Sequence, residues 1–198
     1  PAPTAETPDL TPMEQLAAMP EVPIDELLAG TEENVVAFLS HDRNAYCTIT
    51  TKQGGVIDSP VDKLLSGGER NDNELEVFAA YCEFGRYPEP KEITDNCNGT
   101  NLGFMGGTMV LTAETAVYGG CRVGMTLMES EFGIGAEPGD GPVAKLPVVD
   151  RGQAVELNGF RCGSITEGMV CAEMQTGVGF LVGDESYEIF GLQETEEP

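Results

Sequence analysis

Beyond residue 33, apolar positions fall in short alternating runs bounded by glycine and polar turns, a period-2 pattern that predicts β-strands rather than helices. The first set comprises Asn34 to Leu39, Ala45 to Thr51, Leu75 to Phe84, Gly107 to Thr112 and Ala116 to Val123. A loop rich in glycine and proline follows at 129–147. Further strands are expected at Gln153 to Leu157, Gly159 to Ser164, Gly168 to Glu173, Gly177 to Val182 and Glu188 to Phe190, and Val61 to Leu65 reads as one helical turn. No internal repeat argues for a propeller or solenoid. Many short strands with 25 glycines predict an all-β fold, an antiparallel sandwich or irregular barrel.

The first 33 residues are different: proline is spread there over alanine, threonine and acidic residues, as in an extended linker. Thr11 and Glu14 make a capping box with Pro12 at the first helical position, so residues 12–18 form two turns presenting Met13, Leu16, Ala17 and Met19. Ile24, Leu27 and Leu28 form a second apolar edge that Gly30 terminates. Helices this short are marginal alone and must dock. Met13, Leu16, Met19, Ile24, Leu27 and Leu28 are therefore the expected partner-docking residues. The organisation read from the chain is a docking arm (1–33), a β domain (34–190) with candidate subdomains at 34–128 and 146–190, and an acidic tail (191–198).

Charge and cysteine usage narrow the setting. Ten basic against 34 acidic residues give a formal charge of −24, unfavourable for nucleic acid phosphates or an anionic lipid surface. A basic protein surface or a cation would suit it better. No apolar run approaches the ~20 residues of a membrane span, and no signal-peptide apolar region is seen. Pro1 is a poor residue to follow a signal-peptidase cut, so something is expected to precede it, either a lipidated cysteine or an artificial boundary. The six cysteines, Cys47, Cys82, Cys97, Cys121, Cys162 and Cys171, show no CxxC or CxH spacing and read as a disulfide framework of an oxidising compartment. Sequence leaves their pairing open. Cys162 and Cys171 flank an Ile165-Thr166-Glu167-Gly168 turn and can meet across a hairpin, and Cys47 with Cys82 and Cys97 with Cys121 are then sequential neighbours. Each closure is expected to stabilise by about 3 to 4 kcal/mol.

Candidate chemistry is sparse. His41 is the only histidine, and Ser40 and Asp42 beside it cannot form a relay from adjacent strand positions. Only Arg122 beside Cys121 and Arg161 beside Cys162 offer a cation to a cysteine, so redox catalysis is not favoured. No GxSxG, HExxH, P-loop or dinucleotide fingerprint is present. Paired carboxylates of a cell-wall-acting enzyme remain the alternative. Calcium is the one cofactor worth weighing, from Asn71, Asp72, Asn73 and Glu74 or from Asp140, but neither loop fits an EF-hand and no cofactor is expected. Asn98-Gly99-Thr100 matches a glycosylation sequon.

At the carboxyl end, Phe160, Cys162, Gly168, Cys171, Thr176, Gly177, Gly179, Phe180, Tyr187 and Phe190 form a pattern that resembles a recurrent domain of actinobacterial secreted proteins and lipoproteins. Leu146-Pro147 and Gly152 precede it as in that family, while Phe38, Ser40 and Asn44 to Cys47 echo its opening faintly. The resemblance covers roughly residues 146–190. It implies an extracytoplasmic β domain with local disulfides and carries no catalytic residue. The function expected is a non-catalytic, protein-binding accessory subunit of an envelope membrane complex, a respiratory assembly being one such setting. The alternatives are the carboxylate enzyme and a calcium or small-ligand binding module.

Overall fold

The computed structural model describes residues 10–23, 35–53, 56–57, 75–93, 97, 103–122 and 125–192. One antiparallel sheet runs β1 (Val36–Leu39), β2 (Ala45–Gln53), β4 (Glu76–Phe84), β5 (Gly103–Leu111), β6 (Ala116–Arg122). Short β3 (Val56–Ile57) pairs with the end of β2, along the same edge as β1. The second sheet is a meander of β7 (Ala154–Leu157), β8 (Phe160–Ser164), β9 (Met169–Glu173), β10 (Gly179–Val182) and β11 (Tyr187–Phe190). Both sheets place one face in a shared core. Ile49, Cys82 and Met109 from the first meet Val155, Cys171 and Phe180 from the second. This is an antiparallel β-sandwich, and the segments 34–128 and 146–190 share that single core.

The disulfides are Cys47–Cys82, Cys97–Cys121 and Cys162–Cys171. Cys47 lies directly opposite Cys82 in the β2–β4 register, and Cys162 opposite Cys171 in β8–β9, so each bond fixes which residues of its strands face inward.

Both outer faces are covered by short helices with the same start signal. Helix α1 (Pro12–Ala18) has the Thr11–Glu14 capping box, and α2 (Leu127–Phe132) has Thr126–Glu129. α2 lies just before and within the stretch read as a 129–147 loop. Its six residues are too few to outweigh the glycines and prolines that follow, although its capping box is legible in the sequence. Met128, Tyr46, Tyr81 and Val143 form the layer between α2 and the first sheet. Glu83, a carboxylate buried on that face, accepts from Tyr81 Oη (2.7 Å) and from the Met128 amide at the helix start (2.8 Å). Tyr46 Oη donates to Glu131 (2.7 Å), and burial together with that carboxylate pushes the Tyr46 phenol well above its usual range.

α1 covers the second sheet. Leu16 and Met19 pack on Ala154, Ile165, Val170 and Ala172, with Met13 alongside. The chain after the helix continues along the β7 edge, where the Val22 amide donates to Ala154 O (2.8 Å) and the Ala154 amide to Pro20 O (3.0 Å). The surface that takes up Met13, Leu16 and Met19 is thus this chain's own sheet, while Ile24, Leu27, Leu28 and the turn at 61–65 lie outside the described residues. Glycine is required beneath the helix end: a Cβ at Gly163 would stand 2.7 Å from the Gln153 carbonyl oxygen and 2.6 Å from Met19 Sδ. Arg161 holds the helix C-terminus. Its guanidinium donates to the carbonyls of Leu16 (3.1 Å) and Met19 and pairs with Glu156. These carbonyls belong to the orphan acceptors of a helix end, where a cation is favoured.

Substituting Arg161→Ala strands the Met19 carbonyl and one partly buried carboxylate, and leaves the Leu16 carbonyl only the Met19 amide. Urea unfolding is expected to show a loss of about 2 to 3 kcal/mol. Limited proteolysis should then cut within residues 10–23, and a variant as stable and as resistant as the parent would show that the clasp does not hold the arm.

Candidate functional site

The two ends of the sandwich differ in chemistry. At one end, the β1–β2 turn is closed by its own side chains. Ser40 Oγ donates to Asp42 Oδ1 (2.6 Å), the Asn44 amide donates to the same oxygen (3.1 Å), and the Ala45 amide donates to Ser40 Oγ (2.9 Å). Asn44 then joins three segments. It accepts from the Arg86 amide (2.7 Å), and its Nδ2 donates to Arg86 O (2.9 Å) and Asp184 Oδ1 (3.3 Å). The Arg86 guanidinium completes the clasp, with Nε donating to Asp184 Oδ2 (2.9 Å) and a longer contact to Asp42 Oδ2 (3.5 Å). A polar cleft of about 380 Å³ lies beside it, lined by His41, Asp42, Arg151, Ser164, Glu167 and Asp184 among others.

His41 sits in the turn, and its Nε2 meets Arg151 Nη2 (2.6 Å). A guanidinium only donates, so this nitrogen accepts and the ring proton belongs on Nδ1, which is buried without a partner. Ser40 is committed to Asp42 and not to His41, so the three neighbours form no nucleophile relay. Burial pushes the Asp42 carboxyl up, but hydrogen bonds from Ser40 and the Asn44 amide, with the charge of Arg86, outweigh it and hold the group below the usual carboxylate range. A catalytic acid needs the opposite shift.

The other end is apolar. A cavity of about 700 Å³ opens between the sheets, lined by Lys52, Val77, Phe78, Asn158, Phe160 and Glu173 among others. Leu75 is 87% exposed, and Val77 and Phe78 are each 44% exposed. Asn158 stands at the β7–β8 turn with φ 53°, and its Nδ2 is buried without a partner. The Glu173 carboxylate is occupied by the Gln175 (3.1 Å) and Thr176 (2.6 Å) amides of the next turn. This end offers apolar surface, the Lys52 side chain and the unpartnered Asn158 amide.

Several sequence candidates fall elsewhere. Arg161 and Cys162 project to opposite faces of β8, so the guanidinium serves α1 and not the sulfur. The Arg122 side chain, Asn71 to Glu74 and the Asn98 sequon are outside the described residues. Asp140 accepts from the Gly141 amide (2.7 Å) and, among the described residues, joins no acidic cluster. Cys47, Cys82 and Cys171 have sulfurs within 4.8 Å of one another, but all are bonded in disulfides. The apolar end went unnoticed in the sequence because Leu75, Val77 and Phe78 read as part of an ordinary strand. Its signal was apolar residues at both parities, Val77 and Phe78, beside the acidic run ending at Glu76.

The fold and its sites define a disulfide-stapled β-sandwich, and the disulfides mark a protein of an oxidising, extracytoplasmic compartment. Among the described residues, no helix is long and apolar enough to cross a membrane. No family model, no curated protein and no solved structure matches the chain.

The polar clasp carries a pH signature. Folded Asp42 binds its proton less readily than unfolded Asp42, so its contribution is present above about pH 4 and is lost as pH falls through the lowered folded value. The stability difference between the parent and Asp42→Asn is expected to shrink from about pH 6 to about pH 2 in urea titrations. A constant difference across that range would contradict the assignment.

Proposed function

We propose that this chain is a non-catalytic protein-binding module of the extracytoplasmic cell envelope, an accessory subunit of a membrane complex, engaged through the apolar end of its sandwich. The observation that carries the reading is the exposed set Leu75, Val77 and Phe78 at the mouth of an apolar cavity. Exposed apolar surface of this kind marks interaction sites. The net charge of −24 favours a partner whose facing surface is basic, because opposite potentials steer encounter and suppress wrong partners. The resemblance of residues 146–190 to actinobacterial secreted proteins and lipoproteins supports the envelope setting, with a lipid anchor upstream of Pro1 and a respiratory complex as the specific forms proposed. Leu16 and Met19 pack on the chain's own sheet, so the docking surface proposed is the apolar end.

The carboxylate enzyme is less well supported, because Asp42 is held below rather than above the usual range and Glu173 is tied to its own turn. The test is cross-linking of native membranes through the Lys52 amine, followed by mass spectrometry. Cross-links to one envelope protein through a basic surface are expected, with a loss of at least about tenfold in Leu75→Glu or Phe78→Glu at unchanged thermal stability. Native protein that purifies from membranes as a monomer without a cross-linked partner would end the proposal.

A further inference from the structure

At the centre of the core the disulfides of the two facing sheets touch. Cys47–Cys82 joins β2 to β4, Cys162–Cys171 joins β8 to β9, and Cys82 Sγ lies 3.9 Å from Cys171 Sγ. All four cysteines are fully buried. The layers are close here, since Cα atoms of β5 and β9 come within 8 Å of one another. A further approach of about 2 Å would bring the two sulfurs to bonding distance.

We propose that these two disulfides form an exchange pair, in which a sulfur freed from one bond attacks the other across the core to give an inter-sheet Cys82–Cys171 disulfide. In the native chain a small dithiol reductant first opens Cys47–Cys82 and is itself oxidised to a cyclic disulfide, leaving two thiols. The Cys82 thiolate then attacks Cys171 Sγ. A Cys82–Cys171 bond forms as Cys162–Cys171 breaks, and Cys162 leaves as a thiolate that takes up the proton released by Cys82. The exchange step consumes no electrons. Its product carries free thiols at Cys47 and Cys162, and its new bond joins the two layers, where the native bonds join neighbours within a layer. Attack by the thiolate at an apolar site makes the step faster at alkaline pH. Opening Cys162–Cys171 first leads to the same product, because Cys171 faces Cys82.

The test is non-reducing peptide mapping of an acid-quenched, alkylated Cys47→Ser chain. The expected result is Cys82 linked to Cys171 with Cys162 alkylated. An intact Cys162–Cys171 bond with Cys82 alkylated overturns the proposal. Should that variant fail to fold, the parent protein is reduced under native conditions with limiting dithiothreitol at about pH 8.5, near the thiol range. A species alkylated at Cys47 and Cys162 is then expected. Products alkylated only at native pairs, or opened only together on global unfolding, overturn it.

Discussion

The constraint on which the other layers depend is the register of β2 against β4, fixed where Cys47 stands opposite Cys82. In a strand pair a slip of one residue turns every side chain to the other face. Here both faces are committed. Cys47 and Ile49 point into the sandwich, while Tyr46 and, on β4, Tyr81 and Glu83 point outward to the layer under α2. A slipped β4 would bury Glu83 between the sheets without Tyr81 Oη and the Met128 amide, an uncompensated charge in an apolar core. The two cysteines are 35 residues apart in sequence, so the bond settles the longest-range pairing between neighbouring strands of either sheet.

With register fixed, both outer faces are solved by one device. Each is covered by a helix of seven residues or fewer that begins with a Thr-x-x-Glu capping box and could not persist alone. Each is held by a charge on the sheet that complements one helix end. Glu83 meets an amide at the start of α2, and Arg161 meets carbonyls at the end of α1. The signs follow the helix dipole. These contacts make polar residues part of the layering, and they explain why β8 alternates a core cysteine with a buried arginine.

The strands were legible because alternation is a local property, and the sandwich followed from their number and spacing. What was not legible depends on distant residues. The start of β5 at Gly103 rather than Gly107 rests on pairing with β6 across an irregularity between Met105 and Met109, where Gly107 (φ 83°) lies against the Tyr87 ring. An apolar edge on residues 12–19 announced docking but not onto which surface, since amphipathicity is the same for a partner and for the chain's own sheet. The polar clasp joins Asn44, Arg86 and Asp184, three stretches whose convergence only the topology creates. The Cys162–Cys171 hairpin was readable because its two strands are adjacent in sequence.

The asymmetry of the two ends follows from how the turns are built. The β1–β2 and β10–β11 turns carry short polar side chains, Ser40, Asp42, Asn44 and Asp184, that satisfy one another and Arg86, so this end is closed by internal hydrogen bonds. At the opposite end the apolar alternation of β4 runs past the last paired residue of β5: Ala80 still pairs with Leu111, but Phe78 and Val77 extend beyond it. Their inward and outward faces both meet open space because β8 ends there, at Phe160 and the Asn158 turn. An apolar strand end that runs past β5 and is paired only with β2 gains less burial than the strand centre, while the net charge of −24 opposes self-association. For the binding module proposed above, these two features argue for an unlike, basic partner over a second copy of the same chain.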